Sequence, residues 1–152
     1  MSSPSVSIRE TKSNTVLYCG LAIVAALVLG VGPVSNTILH HIVQTFPFWL
    51  LAAVRRRAWP NWFALPCFIF WLVIMVAIWA FLLHLPTFVQ GHFSPVEIAM
   101  TIVCGIASVL GIAAAIRTRG ASLGGAVAAF VGGAAAQYAC FRISQIPFIW
   151  RH

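Results

Sequence analysis

The segment Trp62–Leu83, WFALPCFIFWLVIMVAIWAFLL, is a 22-residue run with no charged side chain. As an α-helix it is about 33 Å long, enough to cross a hydrocarbon core of about 30 Å. Three more long apolar runs accompany it: Thr15–Val31, Pro95–Ile116 and Ala121–Ile143. Hiding four such helices in a water-soluble globule takes a polar exterior that this chain lacks. Of its 152 residues, 61% are hydrophobic and 7% are charged, against about 25% charged in soluble domains. The solvent that tolerates an apolar exterior is lipid. A membrane β-barrel would alternate in segments of about ten residues, whereas these runs are continuous and rich in Ala, Leu and Ile. The expected fold class is an all-α integral membrane protein, a five-helix transmembrane bundle with four clear spans and Thr37–Val54 as a fifth.

The chain divides accordingly. Residues 1–13 are Ser-rich and polar and are expected to form a flexible tail. Residues 14–146 form a single transmembrane domain with spans near 15–32, 37–54, 62–84, 95–116 and 121–143, and residues 147–152 a short tail. The first run is too long for the core of a signal peptide and lacks a small-residue cleavage site, so it is expected to stay as a span closed by Gly32-Pro33. Pro66 falls in the first turns of its span, where a missing N–H costs least. Ser94, Pro95 and Glu97 form a capping signature at the start of the fourth span. The RTRG link at residues 117–120 is so short that the last two spans are expected to be antiparallel neighbours.

Thr37–Val54 is ambiguous because its first half is polar on one face. Asn36, His40 and Gln44 recur every four residues, as do Thr37, His41 and Thr45. Such a helix either lies on the membrane surface or lines an interior. Basic residues arbitrate. If the segment crosses and the N-terminus is cytoplasmic, Arg9, Lys12, Arg55, Arg56, Arg57, Arg117 and Arg119 are inside, and only Arg142 and Arg151 are outside. If it lies flat, the split is nearly even. The excess of Lys and Arg on cytoplasmic loops favours crossing. Trp59 and Trp62 beside the arginine triplet suit an inner aromatic belt. Pro47 would free a carbonyl in mid-helix, for which Gln44 or Thr45 is a candidate partner. Short loops and the lack of N-glycosylation sequons suit a bacterial cytoplasmic membrane.

With five spans, His40, His41, His84, His92 and Glu97 all fall toward the outer face. Imidazole and carboxylate are common ligands of metal ions and, for imidazole, of haem iron, and they can bind and deprotonate quinols. His41 and His84 are the first pair to test. The competing reading is that half-wet interfaces attract His, and that Glu97 is occupied as a capping residue at a helix N-terminus. No H-x-x-x-H or H-E-x-x-H spacing occurs. A haem, metal ion or quinone is therefore a candidate cofactor, and none is the default expectation.

The last span carries two adjacent rows of small residues: Ala121, Gly125, Ala129 and Gly133, and Gly124, Ala128, Gly132 and Ala136. The fourth span offers Ala107, Gly111 and Ala115. Lipid supplies no hydrophobic drive for helix association, so close packing must. The rows are expected to pack the last two spans together, with some face left over for another subunit.

The four cysteines, Cys19, Cys67, Cys104 and Cys140, fall one per long run and read as small hydrophobes in helices. The net charge of +7 sits in short clusters beside apolar runs, which makes it a topology signal and not a nucleic-acid footprint. No phosphate loop, nucleophile motif, carboxylate pair or internal repeat is present, so no enzyme class is indicated. The expected function is that of a small accessory or scaffold subunit in the lipid bilayer, partnered by other membrane subunits or by copies of itself. A histidine-site ligand binder is the alternative, and a small transporter or channel a further one.

Overall fold

The computed structural model describes residues 4–53, 59–87, 89, 91–117 and 121–150. Among them there is no strand. The elements are α1 (Pro4–Ala25), a π-helical turn (Ala26–Val31), α2 (Gly32–Ser35), α3 (Ile38–Ala53), α4 (Trp59–Leu82), α5 (Pro95–Ile116), α6 (Leu123–Ser144) and α7 (Pro147–Trp150). Four stretches are long and apolar enough to cross a membrane: Asn14–Ser35, Pro60–Leu82, Pro95–Ile116 and Leu123–Ser144. α3 is a shorter apolar helix of 16 residues, about 24 Å long. The exterior carries large apolar side chains, including Leu29, Val76, Ile106 and Val131, each more than half exposed. That is the surface of an all-helical membrane bundle.

The four long helices and the shorter α3 form a ring in the order α1, α5, α4, α6, α3, with α3 returning to α1. α4 also reaches across to α1 and α3. Its side chains Phe68, Trp71 and Met75 lie in the interior core together with Ile23 of α1, Phe48 of α3 and Cys104 of α5. Close approaches set the levels. Gly111 of α5 lies under the Phe68 ring, Gly20 of α1 under the Phe48 ring, and Gly30 under Met100. The Phe48 and Phe68 rings are 5.0 Å apart. α3 touches the first span at Gly32–Ile38 and again at Gly20–Phe48. It therefore runs lengthwise and antiparallel within the ring and does not lie across its end.

Several expectations need correction. α1 begins at Pro4, so the polar N-terminal stretch is helical from residue 4. Extending an existing helix costs far less than nucleating one, and Pro is pre-organised for a first turn. Gly32-Pro33 does not close the first span. The π-helical turn shifts the hydrogen-bond register, with the Gly32 N–H bound to the Leu27 carbonyl, and the chain continues to Ser35. It ends at Asn36, in the left-handed region at φ 54°, and the Thr37 N–H bonds back to the Gly32 carbonyl to complete a helix-terminating motif.

Pro66 is interior, because α4 starts at Trp59 and not at Trp62. Thr45 does not serve the carbonyl that Pro47 frees, which is that of Val43. Its hydroxyl donates to the His41 carbonyl at 2.8 Å and the Ile42 carbonyl at 3.3 Å.

The largest correction concerns α5 and α6, which do not form a packed pair. Each packs on α4. The reason is steric. Gly133 gives α6 direct access to the Phe63 carbonyl and the Pro66 ring of α4, while Gly111 gives α5 access to Phe68 on the same helix. Arg55, Arg56, Arg57 and Arg119, which carry most of the topology signal, lie outside the described residues, as does Val54. Arg117 is exposed at the end of α5.

Candidate functional site

One end of the ring holds the C-termini of α4 and α6 and the N-termini of α3 and α5. His40, His41, His84, His92 and Glu97 are all placed there. Their local roles differ.

Ser94 and Glu97 form the anticipated capping box. The Ser94 hydroxyl accepts from the Glu97 N–H at 3.2 Å, and a Glu97 carboxylate oxygen accepts from the Ser94 N–H at 2.7 Å. The arrangement satisfies two N-terminal donors of α5 and places negative charge at its positive end.

His84 is exposed and has φ 58°. It is the left-handed residue that ends α4. Its N–H bonds to the Phe81 carbonyl and that of Leu85 to the Ala80 carbonyl, the paired pattern of a helix C-terminus. His92 is exposed in the following loop. Among the described residues no hydrogen bond or ring contact joins His84 to His41. Nor do any three described His, Cys, Asp and Glu side chains come close enough together to hold a metal ion.

The polar stripe of α3 is turned inward. His40, Gln44 and Thr45 are buried. His40 Nδ1 is 2.9 Å from the Ser144 carbonyl, tying the start of α3 to the end of α6. Its ring meets that of His41 edge-on at 5.2 Å. One turn further, Gln137 Nε2 donates to the Gln44 main-chain carbonyl at 3.2 Å. The physical drive is the cost of leaving such groups in hydrocarbon, several kcal/mol each on the order-of-magnitude scale for amides and hydroxyls. His41 Nδ1 is buried with no hydrogen-bond partner. No family model matches this chain, and neither a characterised protein nor a solved structure is significantly similar to it.

The two small-residue rows of α6 separate in space. Ala129 and Gly133 are buried, Gly133 against α4, while Gly125, nearer the helix start, is exposed. Gly124, Ala128 and Gly132 face outward. A Cβ added at Gly124 or Gly132 would meet nothing within 4 Å. On α5, Ala107, Gly111 and Ala115 are all buried. Sequence reasoning missed several buried polar groups outside α3, among them Trp71 on α4, Thr101 and Ser108 on α5, Ser144 at the end of α6 and Asn61 at the start of α4. Trp71 and Ser108 read as ordinary members of apolar runs. Only the ring geometry, which turns both inward, distinguishes them.

Proposed function

We propose that this chain is a small polytopic membrane subunit that works by packing against other membrane helices, as an accessory or scaffold component and not as an enzyme. The observation that carries the reading is a mismatch on α6. It is the least apolar of the four long spans, with mean hydropathy 1.3 against 2.3, 2.6 and 2.3 for the others. It is also the least covered, 22% buried against 44%, 39% and 39%. A helix facing lipid is expected to be the more apolar one. An outward row of Gly124, Ala128 and Gly132 instead suits close approach of another helix backbone. The partner is a second copy or another membrane chain. The location proposed is a bacterial cytoplasmic membrane with the N-terminus cytoplasmic and α3 crossing, on the strength of the Lys and Arg distribution.

The test is a photo-crosslinking residue at position 132 in native membranes. A discrete protein adduct is expected there, and lost in a Gly124→Leu, Ala128→Leu background. Adducts with lipid alone would overturn the reading.

A second reading, a ligand-binding protein, is favoured by the buried, unpartnered His41 Nδ1. An absorption spectrum, metal analysis and lipid extraction of purified protein test it. A bound species lost in His41→Leu supports it, and purified protein carrying none removes it.

A further inference from the structure

Halfway down the ring, polar atoms from three helices are buried with no hydrogen-bond partner: Trp71 Nε1 on α4, Ser108 Oγ on α5 and Gln137 Oε1 on α6. The residues are 3%, 0% and 2% exposed, so bulk solvent does not reach them. They share a level. Gly111 and Phe68 are in contact, and one turn toward the histidine end lie Ser108 on the antiparallel α5 and Trp71 on α4. Cys67 Sγ donates to the Gly133 carbonyl at 3.8 Å, and one turn further on the parallel α6 lies Gln137. Gln44 of α3 joins the same level through its bond from Gln137. Because α5, α4 and α6 are consecutive in the ring and Trp71 belongs to its core, the three side chains border the same interior.

The chemistry of the three atoms restricts what can satisfy them. An indole N–H only donates, a side-chain amide oxygen only accepts, and a hydroxyl does either. The orientation of the Gln137 amide is set by the Gln44 carbonyl, which needs its NH2 group as donor. A cation is repelled by the indole N–H, and an anion by the amide oxygen. A neutral molecule that both donates and accepts suits all three. We infer that the ring interior binds water at this level, joining Trp71 Nε1, Ser108 Oγ and Gln137 Oε1. Buried water characteristically makes about three hydrogen bonds to otherwise unsatisfied groups, and each of these groups would otherwise keep its full desolvation penalty. The site gives the bundle a polar midsection one turn from His41, next to the buried His40 and Thr45 of α3.

The test reads Trp71 directly. In 15N-tryptophan-labelled protein in deuterated detergent, the Trp71 indole resonance is the one lost in Trp71→Phe. A magnetisation-transfer peak from that indole proton to water is expected. Ser108→Ala removes an anchor of the water while leaving space for it, so its melting temperature is expected to fall by several degrees. If instead the three atoms are bare, removing the Ser108 hydroxyl relieves a penalty and the melting temperature rises. No water contact at the Trp71 indole, or a higher melting temperature for Ser108→Ala, overturns the inference.

Discussion

Gly133 of α6 lies against the main-chain carbonyl of Phe63 in α4, with the Pro66 ring 3.0 Å from where a Cβ would stand. The obstacle is backbone, which cannot swing aside as a long side chain can. Gly133→Ala is expected to destabilise the protein by about 1–3 kcal/mol, the usual cost of overpacking. Gly132→Ala, one residue away on the outer row, is expected to be neutral or stabilising by up to about 1 kcal/mol through helix propensity. Thermal unfolding of detergent-dispersed protein compares them. Equal losses in both would mean that α6 is rotated from the position described.

The capping box separates two roles for Glu97. Ser94→Ala and Glu97→Ala should each cost about 0.5–2 kcal/mol, the range for losing an N-terminal cap. Glu97→Gln keeps the reciprocal bond to the Ser94 N–H and should retain most of the stability. A Glu97→Gln variant as unstable as Glu97→Ala would show that the carboxylate charge, and not the cap, is what matters there.

His84 occupies a conformation that glycine adopts without cost. His84→Gly is expected to be stable or slightly more stable than the parent, and His84→Val less stable by about 1–2 kcal/mol because a β-branched residue is strained at positive φ. If His84→Gly instead loses stability or a bound species, the residue has a role beyond ending α4.

Topology follows from the charge distribution. A reporter fused after Arg57 should read cytoplasmic and one at Gln90 external. Both reporting the same side would exclude α3 as a crossing helix, despite its lengthwise packing in the ring.

Much of this architecture is written in local pattern. The α5 start is legible to the residue because Ser94, Pro95 and Glu97 act on neighbours one turn away. The long spans are legible because lipid selects for length and apolarity, both properties of a continuous run. The inward turn of His40, Gln44 and Thr45 is legible in part, since polar groups on a helix must avoid lipid tails, whereas Asn36, at the head of the same stripe, is exposed outside α3. Proline and glycine are less reliable. Pro33 lies near the end of the first span, which nevertheless runs on to Ser35, and a helix start three residues earlier makes Pro66 interior.

Partner choice among helices is a different matter. Gly133 and Gly111 announce close packing, yet nothing in either row names α4 as the common partner in place of α5 with α6. That Trp71, Ser108 and Gln137 are all buried inside the ring is equally invisible along the chain. Local sequence determined which segments are helices, how several of them begin, and that the whole belongs in lipid, because those outcomes depend on hydration and hydrogen bonding within a turn or two. Only tertiary structure decided the order of helices around the ring and which small and polar faces meet, because in a lipid-like solvent those choices rest on steric fit between surfaces that are all nearly equally apolar.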